Sequence, residues 1–248
     1  MNNRDIILLG AIILIGAIVV ELYSNFANPL IDYTSGSYKS LIIGAPQQFD
    51  YYKEGVLIGT YAYTLNTQTS GSSVYYTLET SVDITYKDEQ VTLETTHRFL
   101  NEISQVGYTV DVDIVGVTTN LTCNFIGGKV LITTSSQGKN QTTTLTLPAN
   151  TVIIDNNNPA HWELLMKSFN AEAGKKYGIN AFIPQGAVVQ KIEFGIDTSH
   201  QFVNIDTMSY ECVVARESRF QITLYFYNGN LIQYKNDVDG IIIVKKMP

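Results

Sequence analysis

The residues that could do chemistry in this 248-residue chain are first of all its three histidines, His97, His161 and His200. An imidazole titrates near neutrality, and beside a carboxylate it can serve as a general base or a metal ligand. The three are far apart in the chain, and no H-E-x-x-H, G-x-S-x-G, G-x-G-x-x-G or G-x-x-x-x-G-K-[ST] pattern surrounds them. His97 falls in the apolar register of a strand, where a histidine reads as a hydrogen-bonded core residue. His161 stands beside Trp162 at the start of a helix. A site made of His97, His161 and Asp155 would require acid, base and orienter to converge from separate elements. The reading from these residues is therefore no catalytic, cofactor or metal site, and a non-enzymatic protein.

Other candidates are weaker in chemistry. The acidic turn Asn236-Asp237-Val238-Asp239-Gly240 hints at calcium, but Lys235 stands where a calcium loop starts with an acid and no closing glutamate follows. It reads as a turn between two strands. The two cysteines, Cys123 and Cys212, lack C-x-x-C spacing. They could form a disulfide, worth about 4 kcal/mol on loop-entropy grounds, or stay buried as small apolar thiols. Asn120-Leu121-Thr122 and Asn140-Gln141-Thr142 match the N-glycosylation acceptor pattern, so Asn120 and Asn140 are candidate glycan sites. Tyr75-Tyr76 and Tyr225 with Tyr227 could offer a contact surface, or stabilise the sheet across its face.

The elements that must position these residues are mostly strands. Val74, Tyr76, Leu78, Val82, Ile84 and Tyr86 alternate with polar residues, as do Val91, Leu93, Thr95, His97 and Phe99, and Val110, Val112 and Ile114. Turn signals at Lys87-Asp88-Glu89, Gly127-Gly128, Gln137-Gly138 and Asn228-Gly229 leave no room for crossover helices, which predicts an antiparallel meander. One helix interrupts it, at 158–170. Asn157 or Asn158 can cap it, Pro159 suits its first turn, and Trp162, Leu165, Met166 and Phe169 form a stripe on one side. Further strands follow at Tyr177–Ile183, Val188–Asp197, Met208–Arg216, Phe220–Tyr227, Leu231–Tyr234 and Ile241–Lys245. The fold expected is mainly β (α+β), a strongly curved antiparallel sheet or half-barrel packed on one α-helix.

The chain opens with an apolar run, Ile6–Val20, that makes about 22 Å of helix, or about 27 Å if extended to Tyr23. Residues 1–23 thus read as a transmembrane signal anchor. A cleaved signal peptide is the alternative, although no good cleavage site follows Val20. Arg4 and the amino terminus before the run favour a cytoplasmic start and an external body. Residues 24–40 mix turn formers with isolated apolar residues and read as a linker or stalk, leaving 41–248 as one extracytoplasmic domain. The net charge of −7 and scattered lysines exclude a track for nucleic acid. A surface polar mainly through Thr, Asn, Ser and Tyr suits a cell-envelope location.

Several short signatures carry a family resemblance. They are Gly55-Val56-Leu57-Ile58-Gly59, Phe125-Ile126-Gly127-Gly128-Lys129-Val130, Leu147-Pro148 with Asp155-Asn156-Asn157, Gly174 with Phe182-Ile183-Pro184, and Phe226-Tyr227-Asn228-Gly229-Asn230-Leu231. From Gly55 to Val244 the order of features resembles exported proteins whose domain is similar to the periplasmic lipoprotein carriers. The resemblance implies an incomplete β-barrel closed by a helix, a cup that in relatives of known role holds acyl chains, and no catalytic residues. The membrane anchor and the lack of a lipobox cysteine depart from those carriers. Three functions follow: a membrane-anchored structural or accessory subunit of an envelope assembly acting through protein contacts, a lipid or apolar-ligand binding module, and an extracytoplasmic enzyme. The first requires nothing beyond an anchor and a polar β-domain.

Overall fold

The computed structural model describes residues 29–34, 36–100, 104–155 and 158–247. The expected anchor and the start of the stalk lie outside them. Among the described residues no helix is long and apolar enough to cross a membrane.

The strands are β1 (Leu30–Asp32), β2 (Gln47–Lys53), β3 (Val56–Ser70), β4 (Ser73–Tyr86), β5 (Glu89–Leu100), β6 (Gln105–Ile114), β7 (Val117–Ile126), β8 (Lys129–Ser136), β9 (Lys139–Thr146) and β10 (Val152–Ile153). Helix α1 (Pro159–Lys167) comes next. It is followed by β11 (Lys176–Ile183), β12 (Val188–Ile196), β13 (Gln201–Ile205), β14 (Met208–Glu217), β15 (Ile222–Tyr227), β16 (Asn230–Asn236) and β17 (Ile241–Lys245). All belong to one large curved sheet. Strands β2 to β9 form a meander in chain order, as the close turn signals require. The last strand joins it antiparallel, Ile241 opposite Lys53 through Lys245 opposite Phe49. Strand β13 continues the line of β12 along the same edge of β14.

Two expectations are corrected here. The sheet is not wholly antiparallel, because β1 and β10 both run parallel to β11. Their long connections to β11 remove the hairpin constraint that governs the rest. Nor are residues 29–40 a stalk. Beyond the β1 ladder, Tyr33 is buried, Tyr38 packs on Phe99 at 5.2 Å, and the Gly36 and Lys39 amides donate to the carbonyls of Ser168 and Lys167. Among the described residues the folded body thus includes the segment from Leu30, ahead of the expected start at Leu41.

The concave face holds the main core. Tyr61, Leu65, Leu78, Phe99, Ile179, Phe194, Leu224 and Ile243 converge there on Trp162 and Leu165 of α1, with Met166 and Phe169 half-buried against them. Trp162 stacks on Phe194 at 5.8 Å. Among the described residues no ladder joins β9 to β10 to close the barrel. Side chains bridge the gap instead: Tyr108, Val110, Cys123, Val130 and Ile132 pack with Ile153 and Phe182. A third cluster, Val203, Ile205, Cys212 and Ile232, lies under the β13–β14 hairpin.

The helix is two turns and a half of what the stripe promised at 158–170, and it is not one-sided. Pro159, Ala160, His161, Trp162, Glu163, Leu164, Leu165 and Lys167 are all buried. It sits inside the cup, so its polar side chains must find partners in the protein.

Candidate functional site

Most polar residues around α1 find partners in the sheet and in the segment before β2, while the Trp162 indole N–H is buried without one. Asn158 occupies the cap position but makes no side-chain cap bond. Its oxygen accepts from the Tyr61 hydroxyl at 2.8 Å, and its amide donates to the Thr95 and Thr80 hydroxyls at 3.1 and 3.3 Å. Tyr61 takes over the capping role, accepting the Ala160 N–H at 3.1 Å. One helical turn on, Glu163 and Lys167 form a buried ion pair at 2.9 Å. Tyr63 donates to Glu163 at 2.7 Å, and Lys167 donates to the Asn230 side chain at 2.9 Å and the Ser40 carbonyl at 3.2 Å. A buried pair survives only when its remaining hydrogen-bonding capacity is met in this way. Burial, reinforced by Glu163, holds the Tyr63 phenol far above its ordinary range.

The histidines come together below this pair. His97 on β5 and His161 on α1 stand edge to face with ring centroids 5.1 Å apart, and Tyr108 of β6 lies 5.5 Å from His161. Asp155 is fully buried beside them and accepts the Tyr108 hydroxyl. The partners set the tautomers. The Asp155 backbone N–H donates to His161 Nδ1 at 3.1 Å, so the proton of neutral His161 is on Nε2. His97 Nε2 donates to the Gln105 side-chain oxygen, leaving a lone pair on Nδ1. His161 Nε2 and His97 Nδ1 have no protein partner, and both rings line one cavity of about 20 Å³. Such a space holds about one water, to which one nitrogen would donate while the other accepts.

This chemistry limits what the cluster can do. A metal on His161 Nε2 would require the proton to move to Nδ1, where the Asp155 amide already points its own hydrogen. Burial drives the His97 imidazole down to about 4 and that of His161 well below its ordinary value, the latter also through His97. Both are neutral at pH 7. The Tyr108 phenol is raised by burial and then by Asp155. The arrangement is a neutral, buried, hydrogen-bonded cluster. Wider depressions of about 500 Å³ beside the β7–β8 turn and about 460 Å³ beside residues 31–39 open to solvent.

No protein-family profile matches the chain, and no curated protein does. Among solved structures, it is similar to a β-barrel-like protein of domain of unknown function DUF1849 from Brucella abortus. The identity is 15%, the TM-score 0.50, and the match covers 82% of this chain and 95% of that one. A DUF1089 family protein from Pseudomonas aeruginosa matches at 12% identity and TM-score 0.42, over 80% of this chain and 94% of that one. The Brucella abortus likeness is one of fold and supports a β-barrel-like body, while likeness to the lipoprotein carriers is not among these findings.

Of the residues singled out from sequence, His97, His161 and Asp155 do converge, but in the interior. His200 does not join them; it is exposed and lies 3.2 Å from Glu211. Cys123 and Cys212 are free, buried in separate clusters, so the disulfide entertained from sequence is not formed. Asn120, on β7, donates to Asp111 at 2.7 Å, whereas Asn140 is exposed at the start of β9. In the acidic turn, Asn236 and Asp239 bond each other at 2.8 and 3.0 Å, and Lys235 pairs with Asp237. Among the described residues no group of three or more His, Cys, Asp or Glu could hold a metal ion. Tyr76 stacks on Phe99 at 5.5 Å, and Tyr227 packs edge-on against Tyr210 at 5.1 Å. Sequence reasoning passed over Tyr61, Tyr63, Thr80, Thr95, Glu163 and Lys167. The signal was there: Thr80 stands in the inward register between Leu78 and Val82, a polar residue where the strand asks for an apolar one.

Proposed function

We propose that the protein is a non-enzymatic, membrane-anchored subunit of the cell envelope, with its β-domain outside and its outer surface making protein contacts. The single observation that carries the reading is that the cup is filled by the chain's own helix. The spaces beside α1 are about 10 and 20 Å³, against the ~300–1,000 Å³ of ligand pockets. The chemical residues are sealed around that helix.

Apolar surface is instead found at the hairpin tips. Strand direction alternates, so the β2–β3, β6–β7 and β16–β17 turns share one end of the sheet. Val56, Leu57, Val115 and Val238 are each more than half exposed there. The Glu54 amide donates to the Gly240 carbonyl at 2.8 Å, tying two of these turns together.

The lipid-carrier reading would require α1 to leave the cup. Native mass spectrometry of full-length protein released gently from membranes separates the two. A mass made up of polypeptide only, in one or more copies and without lipid, with protease cleaving the body from outside intact cells, is expected. A stoichiometric lipid adduct, or a body protected inside the cell, overturns the proposal.

A further inference from the structure

The two edges of the sheet are treated differently. The free side of β11 is covered by β1 on Lys176–Gly178 and by β10 on Ala181–Phe182, pieces of three and two residues. Short strands of this kind are a common guard against unwanted pairing. The other edge, β9, has no such guard. It runs eight residues, Lys139–Thr146, without proline or register shift, and carries one charge, at its turn end. Every residue of it but Leu145, which packs on the Tyr108–Phe182 cluster, is exposed, and among the described residues β8 is the strand that pairs with it.

The turn before β9 determines which amides are spare. Gln137 and Gly138 both have positive φ, 50° and 74°, and Ser136 pairs with Lys139 across them. In such a two-residue turn the flanking pair exchanges hydrogen bonds. Lys139, Gln141, Thr143 and Leu145 therefore direct their backbone groups at β8. Asn140, Thr142, Thr144 and Thr146 direct theirs outward, where among the described residues they have no backbone partner.

We infer that β9 is a pairing edge and that its occupant is β9 of a second copy, antiparallel about a two-fold axis through Thr143. That register sets Thr142 against Thr144 and Asn140 against Thr146 of the other copy, so all outward groups of Asn140–Thr146 are used. It also places Gln141 against Leu145 and Thr143 against itself. No charge meets a like charge, because Lys139 lies beyond the paired stretch. Threonine has high strand propensity, and Thr–Thr neighbours across strands are favourable. An unrelated strand could use the same backbone groups, but self-pairing needs no second protein and leaves none of these groups unpaired.

This inference deepens the proposed contact role and rests on it. The test is the oligomeric state of the full-length protein in detergent, by sedimentation velocity across a concentration series. Thr144→Pro removes an outward N–H that β8 does not use, so the hairpin is spared while the edge is blocked. Thr143→Lys leaves the backbone alone and sets two ammonium groups face to face on the two-fold axis. A dimer is expected for the natural chain. Each substitution should weaken it roughly tenfold or more, with the unfolding midpoint of the monomer unchanged. A monomer at all concentrations, or a dimer indifferent to both substitutions, overturns the β9 pairing. Either result leaves the external, lipid-free reading standing, since that is decided by protease access and mass.

Discussion

Lowering the pH should unfold this protein through its interior histidines. His97 has its folded pKa depressed from 6.5 to about 4, first by desolvation, with the Gln105 hydrogen bond opposing. The unfolded chain therefore takes up the proton before the folded one does. Stability from neutral His97 is fully present above pH 6.5, falls as the pH drops towards 4, and is constant below that. A drop from 6.5 to about 4, at ~1.4 kcal/mol per pH unit, amounts to about 3 kcal/mol. His161 is also depressed well below 6.5, by burial and then by His97, and adds to the loss in the same direction. The groups facing the pair are Gln105 and Tyr108 on β6 and Asp155 before α1, with Phe99 beside His97. The perturbation is His97→Gln, which removes the titrating ring and with it the repulsion that a protonated His97 exerts on a protonated His161. Urea midpoints and slopes measured from pH 7.5 to 4 for both chains supply the comparison, since surface carboxylates titrate equally in each and cancel. The variant is expected to be less stable at pH 7.5 but to lose about 3 kcal/mol less on acidification. Parallel stability curves for the two chains would refute the argument that burial holds His97 neutral.

Two further outcomes follow from the packing. Lys167→Met leaves Glu163 buried without its cation and should cost about 3–5 kcal/mol, whereas adding Glu163→Leu should recover much of that loss; urea unfolding of the single and double variants checks it, and equal losses would sink it. Burial raises the Cys123 thiol to about 12, so neither cysteine should react with an aromatic disulfide reagent at pH 8 until urea unfolds the chain, when two thiols per chain should appear, and none if the cysteines are bridged.

Much of the fold was legible because its strands are half-buried and closely spaced. Leu78 and Val82 alternate with exposed Glu79 and Ser81, and that pattern alone sets the faces of β4. The tightest turns likewise announce their hairpins. What could not be read depends on contacts distant in sequence. Leu30–Asp32 is too short to show a period, and its partner strand begins at Lys176. Glu163 and Lys167, at i and i+4, carry nothing in the local sequence that marks them as interior, yet the curvature of the sheet buries them. The convergence of His97 with His161 depended on how deep the helix sits, which no local pattern encodes.

The depth of α1 also bears on the choice between a plug and a ligand cup. Withdrawing the helix would strip the Gly36 and Lys39 amides from the Ser168 and Lys167 carbonyls, Tyr61 from Ala160, and Tyr63 from Glu163. It would also expose Trp162, which is fully buried. Each buried polar group left unpaired costs about 1–3 kcal/mol, and exposing the helix's apolar side chains adds about 1.5–3 kcal/mol apiece. An acyl chain gains ~0.8 kcal/mol per CH₂ on leaving water, but a lipid drawn from a bilayer is already out of water and gains almost nothing by moving into a second apolar space. The exchange of helix for lipid thus has a large cost on the protein side and little return on the other. A cup sealed in this way favours work done on its outside.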